Sequence, residues 1–154
     1  IGTSVRGIRL DSLVPARHSH RRFADHLALW HIDTEGAEVL VLRSASALLL
    51  FERIDRIVLE LSPRLWANHN VSLTTGYAEL EQHFRGWQCW WACTGLTVDW
   101  LKEVNRVGAL LRKRRWGHAG HCKRPWNKYA IAVDAYCVRA GVEPVFHPML
   151  RVSG

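Results

Sequence analysis

No run of about 18 apolar residues occurs in this chain, so it holds no candidate for a membrane-crossing helix. Its first residues also lack the basic-then-apolar order of a signal peptide, which leaves the cytoplasm as the default expectation. Cysteine is sparse: Cys89, Cys93, Cys122 and Cys137 are too few in 154 residues for a dense disulfide framework. Cys89 and Cys93 stand among tryptophans and read as packing residues. His118, His121 and Cys122 lie close together, but without a paired C-x-x-C knuckle and among glycines and basic residues they suit a loop, so no metal is expected. Internal repeats and low-complexity tracts are absent. Asn70-Val71-Ser72 matches a glycosylation acceptor, a tripeptide common by chance and without meaning outside a secretory compartment.

Acidic residues are the minority, 14 against 21 basic, giving a net charge of +7. The basic excess peaks at Arg112-Lys113-Arg114-Arg115, with Lys123 and Arg124 beyond. Such a run reads as a solvated helix end or loop, and the base-stacking pattern of an RNA-binding strand is missing, so nucleic acid is not an expected partner. With 48% apolar residues the chain suits one core, read as a single unit over residues 1–140 followed by an irregular tail over 141–154. Ile1 in place of Met, with a strand-like segment (Val5, Ile8, Leu10) close behind, suggests a start inside a larger protein.

Hydrophobic periodicity places the elements. Val5–Leu10 is an expected strand ending at Asp11-Ser12, and the basic, His-rich stretch from Pro15 to Arg22 an expected surface loop. Leu27–Ile32 is short, nearly continuous in apolar residues and bounded by polar turns, as a buried strand should be. From Gly36 the period becomes helical (Ala37, Leu40, Val41, Ala45), continuing through Phe51. Arg56–Leu61 is a second buried strand, closed by Ser62-Pro63; strand, helix and strand at this spacing form a parallel βαβ unit. A short helix near Tyr77–Phe84, a strand at Trp87–Trp91, an amphipathic helix through Val98–Leu111 and a last strand within Tyr129–Val138 complete an α/β pattern. The strand Trp87–Trp91 should set Trp87, Cys89 and Trp91 on one face and Gln88 and Trp90 on the other.

The densest chemistry lies where the second expected strand gives way to the helix. Asp33, Glu35 and Glu38 stand within six residues, at the carboxyl edge where open α/β sheets bind ligands. Glu60, near the end of the next parallel strand, belongs to the same edge. Carboxylates there admit a structural reading, as helix caps and partners of the helix dipole. Glu60 equally suits a solvent-facing strand end, and Asp33, Glu35 and Glu60 are oxygen donors of the type hard cations prefer. Asp11 reads as the start of a helix or turn. The eight tryptophans supply packing area first, and an aromatic wall for an acceptor only second.

The order of these blocks carries a resemblance. Ile8-Arg9-Leu10-Asp11-Ser12-Leu13, then Ile32-Asp33-Thr34-Glu35-Gly36-Ala37-Glu38 with Val41-Leu42-Arg43, then Ile57-Val58-Leu59-Glu60, resembles the C-terminal half of an FkbM-type methyltransferase domain. Asp134-Ala135-Tyr136-Cys137-Val138-Arg139 is similar to that family's closing strand. The resemblance implies a partial Rossmann-like methyltransferase fold, a mainly parallel sheet with an antiparallel last strand and its N-terminal strands missing. It implies S-adenosylmethionine as cofactor and methylation of an oxygen on a small molecule, glycan or lipid. Asp33 would orient or deprotonate the acceptor hydroxyl, and Glu35, Gly36, Glu38 and Glu60 would line the substrate or cofactor pocket. His31 stands where the family commonly has lysine, and Ser44 where it has glycine. The glycine-rich cofactor loop and the ribose-holding acid have no counterpart in this sequence and would lie upstream of Ile1. Loss of the preceding strands would expose an edge prone to self-association. The reading from another class is a non-catalytic remnant whose basic C-terminal half binds an anionic partner.

Overall fold

The computed structural model describes residues 7–13, 27–50, 53–92, 95–112 and 133–144. Its elements are β1 (Trp30–Ile32), α1 (Glu38–Ser44), α2 (Ser46–Leu50), β2 (Arg56–Leu61), α3 (Leu73–His83), β3 (Trp87–Trp91), α4 (Trp100–Arg112) and β4 (Val133–Arg139), with single 3₁₀ turns at Leu10–Leu13 and Trp66–His69. The strands form one mixed sheet in the order β1-β2-β4-β3. β1 pairs parallel with β2, while β4 pairs antiparallel with both β2 and β3. Thus β1, β2 and β3 share one direction and the last strand, inserted between β2 and β3, opposes them.

Alternation along β2 decides which face is core. Ile57, Leu59 and Leu61 are buried, and they continue across the sheet into Ile32, Ala135, Cys137, Cys89 and Trp91. The helices supply Val39, Leu42, Tyr77, Leu80, Trp100 and Val107 to the same core. Trp100 stacks on Phe84 at 5.6 Å and meets Trp91 edge-on at 6.0 Å. The opposite face carries His31, Val58, Glu60, Asp134, Tyr136 and Trp90, each exposed or half-buried. Trp66, Trp91 and Trp100 are core residues, as packing area alone suggests.

Several sequence expectations need correction. Residues 7–9 form no strand, and Leu10–Leu13 is a 3₁₀ turn. The cause is Asp11, whose carboxylate accepts hydrogen bonds from the Ala47 and Leu48 amides at 3.1 and 3.2 Å and so caps α2. The strand expected at Leu27–Ile32 is ladder-paired only over Trp30–Ile32, with an isolated parallel bridge from Leu27 to Ile54. The single helix expected from Gly36 to Phe51 breaks at Ala45, between α1 and α2. There Ser44 and Ser46 donate their hydroxyls to the Val41 and Arg43 carbonyls, competing with the helical ladder. α3 begins four residues before Tyr77 because Ser72 caps it, accepting from the Thr75 amide at 3.0 Å. Cys89 does more than pack: it is disulfide-bonded to Cys137, its cross-strand partner. Most of the basic cluster, the His118–Cys122 group, Cys93 and residues 129–132 of the expected last strand lie outside the described residues.

Candidate functional site at the carboxyl edge of the sheet

β1 and β2 end side by side. Their parallel register pairs Ile32 with Leu59, and one further step sets Asp33 beside Glu60. Glu60 also faces Asp134 directly across the antiparallel ladder, where opposing Cβ atoms lie about 5 Å apart. Three strands therefore bring three carboxyl groups to one edge, with Glu35 on the turn beyond. Among the described residues no cluster of metal-ligating type forms there, so the divalent-cation reading gains no support.

The proximity shows in the ionisation of the group at the centre. Burial raises the Glu60 carboxyl above its ordinary 4.5, and Asp33, Asp134, Glu35 and Glu38 each raise it further by repulsion. Asp134 also moves up: protein crowds it although solvent still reaches its side chain, His31 offsets part of the effect, and Asp33 adds to it. His31 lies two residues before Asp33 on an exposed strand position and is the neighbour that lowers the Asp134 pKa. Two hydroxyl oxygens flank the edge, Thr34 Oγ1 after Asp33 and Ser62 Oγ after Leu61, both buried without a hydrogen-bond partner.

The turn that follows β1 is held from below. The Ala37 amide donates to the Thr34 carbonyl at 3.2 Å, and both central residues have positive φ, Glu35 at 49° and Gly36 at 101°. Glu35 thus sits exposed in a left-handed conformation that costs a non-glycine residue about 1–2 kcal/mol. Glu38 has a different fate from the one its charge suggests. It is fully buried; one oxygen accepts from the Gly36 amide at 2.6 Å and the other from the Trp66 indole N–H at 2.7 Å. With both oxygens engaged by the protein, Glu38 lies beneath the edge and ties the turn after β1 to the loop after β2. Glu38 does not cap α1, whose first turn has no side-chain cap; its partners are the amide of the preceding turn and a distant indole.

Gly36 is buried for the same architectural reason. A Cβ on it would fall 2.4 Å from Leu65 Cβ and 3.0 Å from the Leu65 carbonyl carbon, both in the β2–α3 connection. Its role is to let two loops touch, so that the strand ends above them are held in register.

The structure thus groups Asp33, Glu35 and Glu60 at the edge and places Gly36 and Glu38 under it. It adds Asp134 and His31, which sequence reading left out of the site. A signal for Asp134 existed, since it is the acid at the start of the last strand, but pairing it with Glu60 requires the register. No family model, curated protein or solved structure matches this chain.

Proposed function

We propose that this chain is the C-terminal half of an S-adenosylmethionine-dependent methyltransferase domain of the FkbM type, acting on a hydroxyl oxygen of a small molecule, glycan or lipid. The observation that carries the reading is the delivery of Asp33 and Glu60 to one edge by neighbouring parallel strands, with an oppositely directed last strand next to β2. The blocks Ile32–Glu38 and Ile57–Glu60 that resemble the family sit at those strand ends, and Asp134 belongs to the block that resembles its closing strand.

The residues present fit one end of the cofactor. A sulfonium is cationic, and carboxylates grouped with too few cations favour a positive charge beside them. Burial first, and then neighbouring carboxylates, raise the Glu60 and Asp134 carboxyls. When bound, the cofactor supplies an electrophilic methyl group to an attacking oxygen. Asp33, exposed at the end of β1, is the group that accepts the hydroxyl proton and orients the oxygen for in-line attack. Glu60, with its raised affinity for a proton, shares that charge across the β1–β2 pair. His31 partly offsets the negative field at Asp134. Among the described residues β1 is the outer strand of the sheet, and its outer side is where further strands or a second copy would pair.

Calorimetric titration with S-adenosylhomocysteine tests this reading on the chain and on a form extended upstream. Saturable binding in the extended form, at least tenfold weaker in the short one, is the expected result. Absence of binding in both removes the methyltransferase reading and leaves the non-catalytic remnant.

A further inference from the structure

We propose that this protein folds in an oxidising, secretory compartment and carries an N-linked oligosaccharide on Asn70. Two observations carry the inference, the second read in the light of the first, and neither depends on methyl transfer. The first is the bond between Cys89 and Cys137. Both residues are buried, at 4% and 0% exposure, and directly opposed in the β3–β4 ladder. Disulfides exchanged in the reducing cytosol are exposed and catalytic or sensing; one sealed inside a sheet is structural and belongs to oxidising surroundings. The second is the placement of Asn70-Val71-Ser72, a tripeptide that means little until a compartment is specified.

Asn70 ends the 3₁₀ turn Trp66–His69 with φ 57° and ψ 30°, and its side chain is exposed. The next residue, Val71, turns inward at 3% exposure and anchors the loop to the core. Ser72 is exposed and caps α3. The amide of residue 70 therefore leaves the surface with room for a bulky, solvated substituent, while its neighbours hold the backbone. In the transfer, Asn70 Nδ2 bonds to the first sugar's C1 and loses a proton, and the polyprenyl diphosphate of the oligosaccharide donor leaves. In disulfide formation the two thiols surrender two protons and two electrons to a disulfide-bearing oxidant.

The left-handed backbone at Asn70 would favour asparagine without any sugar. The substitutions are chosen to separate these roles: Asn70→Gly keeps the conformation and removes the acceptor, and Ser72→Thr keeps both acceptor and cap. The native protein is captured from its source cells after thiol alkylation and mapped with peptide N-glycosidase in heavy-oxygen water. The expected map shows Asn70 converted to labelled aspartate, and the Cys89 and Cys137 peptides joined until reduced. Unmodified Asn70 overturns the glycan, and alkylated Cys89 and Cys137 overturn the compartment. In parallel, the full chain is sent through a eukaryotic secretory pathway behind a cleavable leader and read in whole lysate, where retained protein is also counted. Parent and Ser72→Thr should carry a glycosidase-sensitive mass increment that Asn70→Gly lacks; a parent without it contradicts the proposal.

Discussion

Substituting alanine for Gly36 should destabilise the protein in two separable ways. The first is conformational: at φ 101° an L-residue carries about 1–3 kcal/mol of strain. The second is steric, because the new methyl would stand 2.4 Å from Leu65 Cβ, and backbone atoms of Leu65 at 3.0 and 3.2 Å block a simple side-chain rotation. Forcing an extra carbon into a packed site costs about 1–3 kcal/mol more. Gly86 provides the control, since it has φ 82° but nothing within 4 Å of the position its Cβ would take. Gly86→Ala therefore incurs strain alone. Urea unfolding followed by tryptophan fluorescence reads both variants against the parent at constant slope. With slopes of about 1–3 kcal/mol per molar urea, Gly36→Ala should unfold about 1 M earlier than Gly86→Ala. The loss bears on the candidate site, because separating the two loops pulls on the 2.6 Å bond from the Gly36 amide to Glu38 and, through Glu38, on Trp66. Equal midpoints for the two variants would refute the claim that contact with Leu65 is why glycine is needed.

Four further outcomes are expected. Glu38→Ala strands the Gly36 amide and the Trp66 indole in the core and should cost about 2–5 kcal/mol in urea unfolding, whereas a ligand-facing carboxylate would be lost with little change in stability. Glu60→Gln should raise the melting temperature near neutral pH. The folded-state affinity of Glu60 for its proton is above the ordinary 4.5, so its stabilising contribution is complete below that pH and lost as pH rises through the folded value; the variant's advantage must therefore vanish towards pH 4. Glu79 behaves oppositely. Its hydrogen bonds to Arg43 at 2.6 Å lower its pKa, so Glu79→Gln should weaken the protein above 4.5 and cease to matter as pH falls through the folded value, which a melting series across pH would show. Reduction of the Cys89–Cys137 bond, which spans 48 residues, should cost about 4 kcal/mol if constraint of the unfolded chain dominates; urea midpoints with and without a strong thiol reductant measure it.

Local pattern was enough for some elements and failed at others for identifiable reasons. The alternation in Arg56–Leu61 and Trp87–Trp91 is visible in the residues themselves, because a half-buried strand writes its two faces at every second position. The parallel pairing of β1 with β2 follows from the helical crossover between them, and with it the meeting of Asp33 and Glu60. What local reading missed depends on distant partners. Leu10–Leu13 is a turn because Asp11 caps a helix 36 residues away. Glu38 looks like a ligand-binding acid in sequence, yet its second partner is Trp66, 28 positions on. Cys89 finds Cys137 only once β3 and β4 are in register, and the same register brings Asp134 opposite Glu60. The break at Ala45 was closer to hand, since two serines flank it and serine hydroxyls compete for helical carbonyls.

The central claim is that Asp33 and Glu60 face the cofactor's positive charge, and a ratio of two affinities tests it without knowledge of the methyl acceptor. S-adenosylmethionine and S-adenosylhomocysteine are titrated calorimetrically into the upstream-extended protein and into its Asp33→Asn and Glu60→Gln variants. Only the first ligand is charged at sulfur, so neutralising either carboxylate should weaken it relative to the second by about tenfold, or about 1.4 kcal/mol. A ratio unchanged in both variants would place the sulfur elsewhere and contradict the claim.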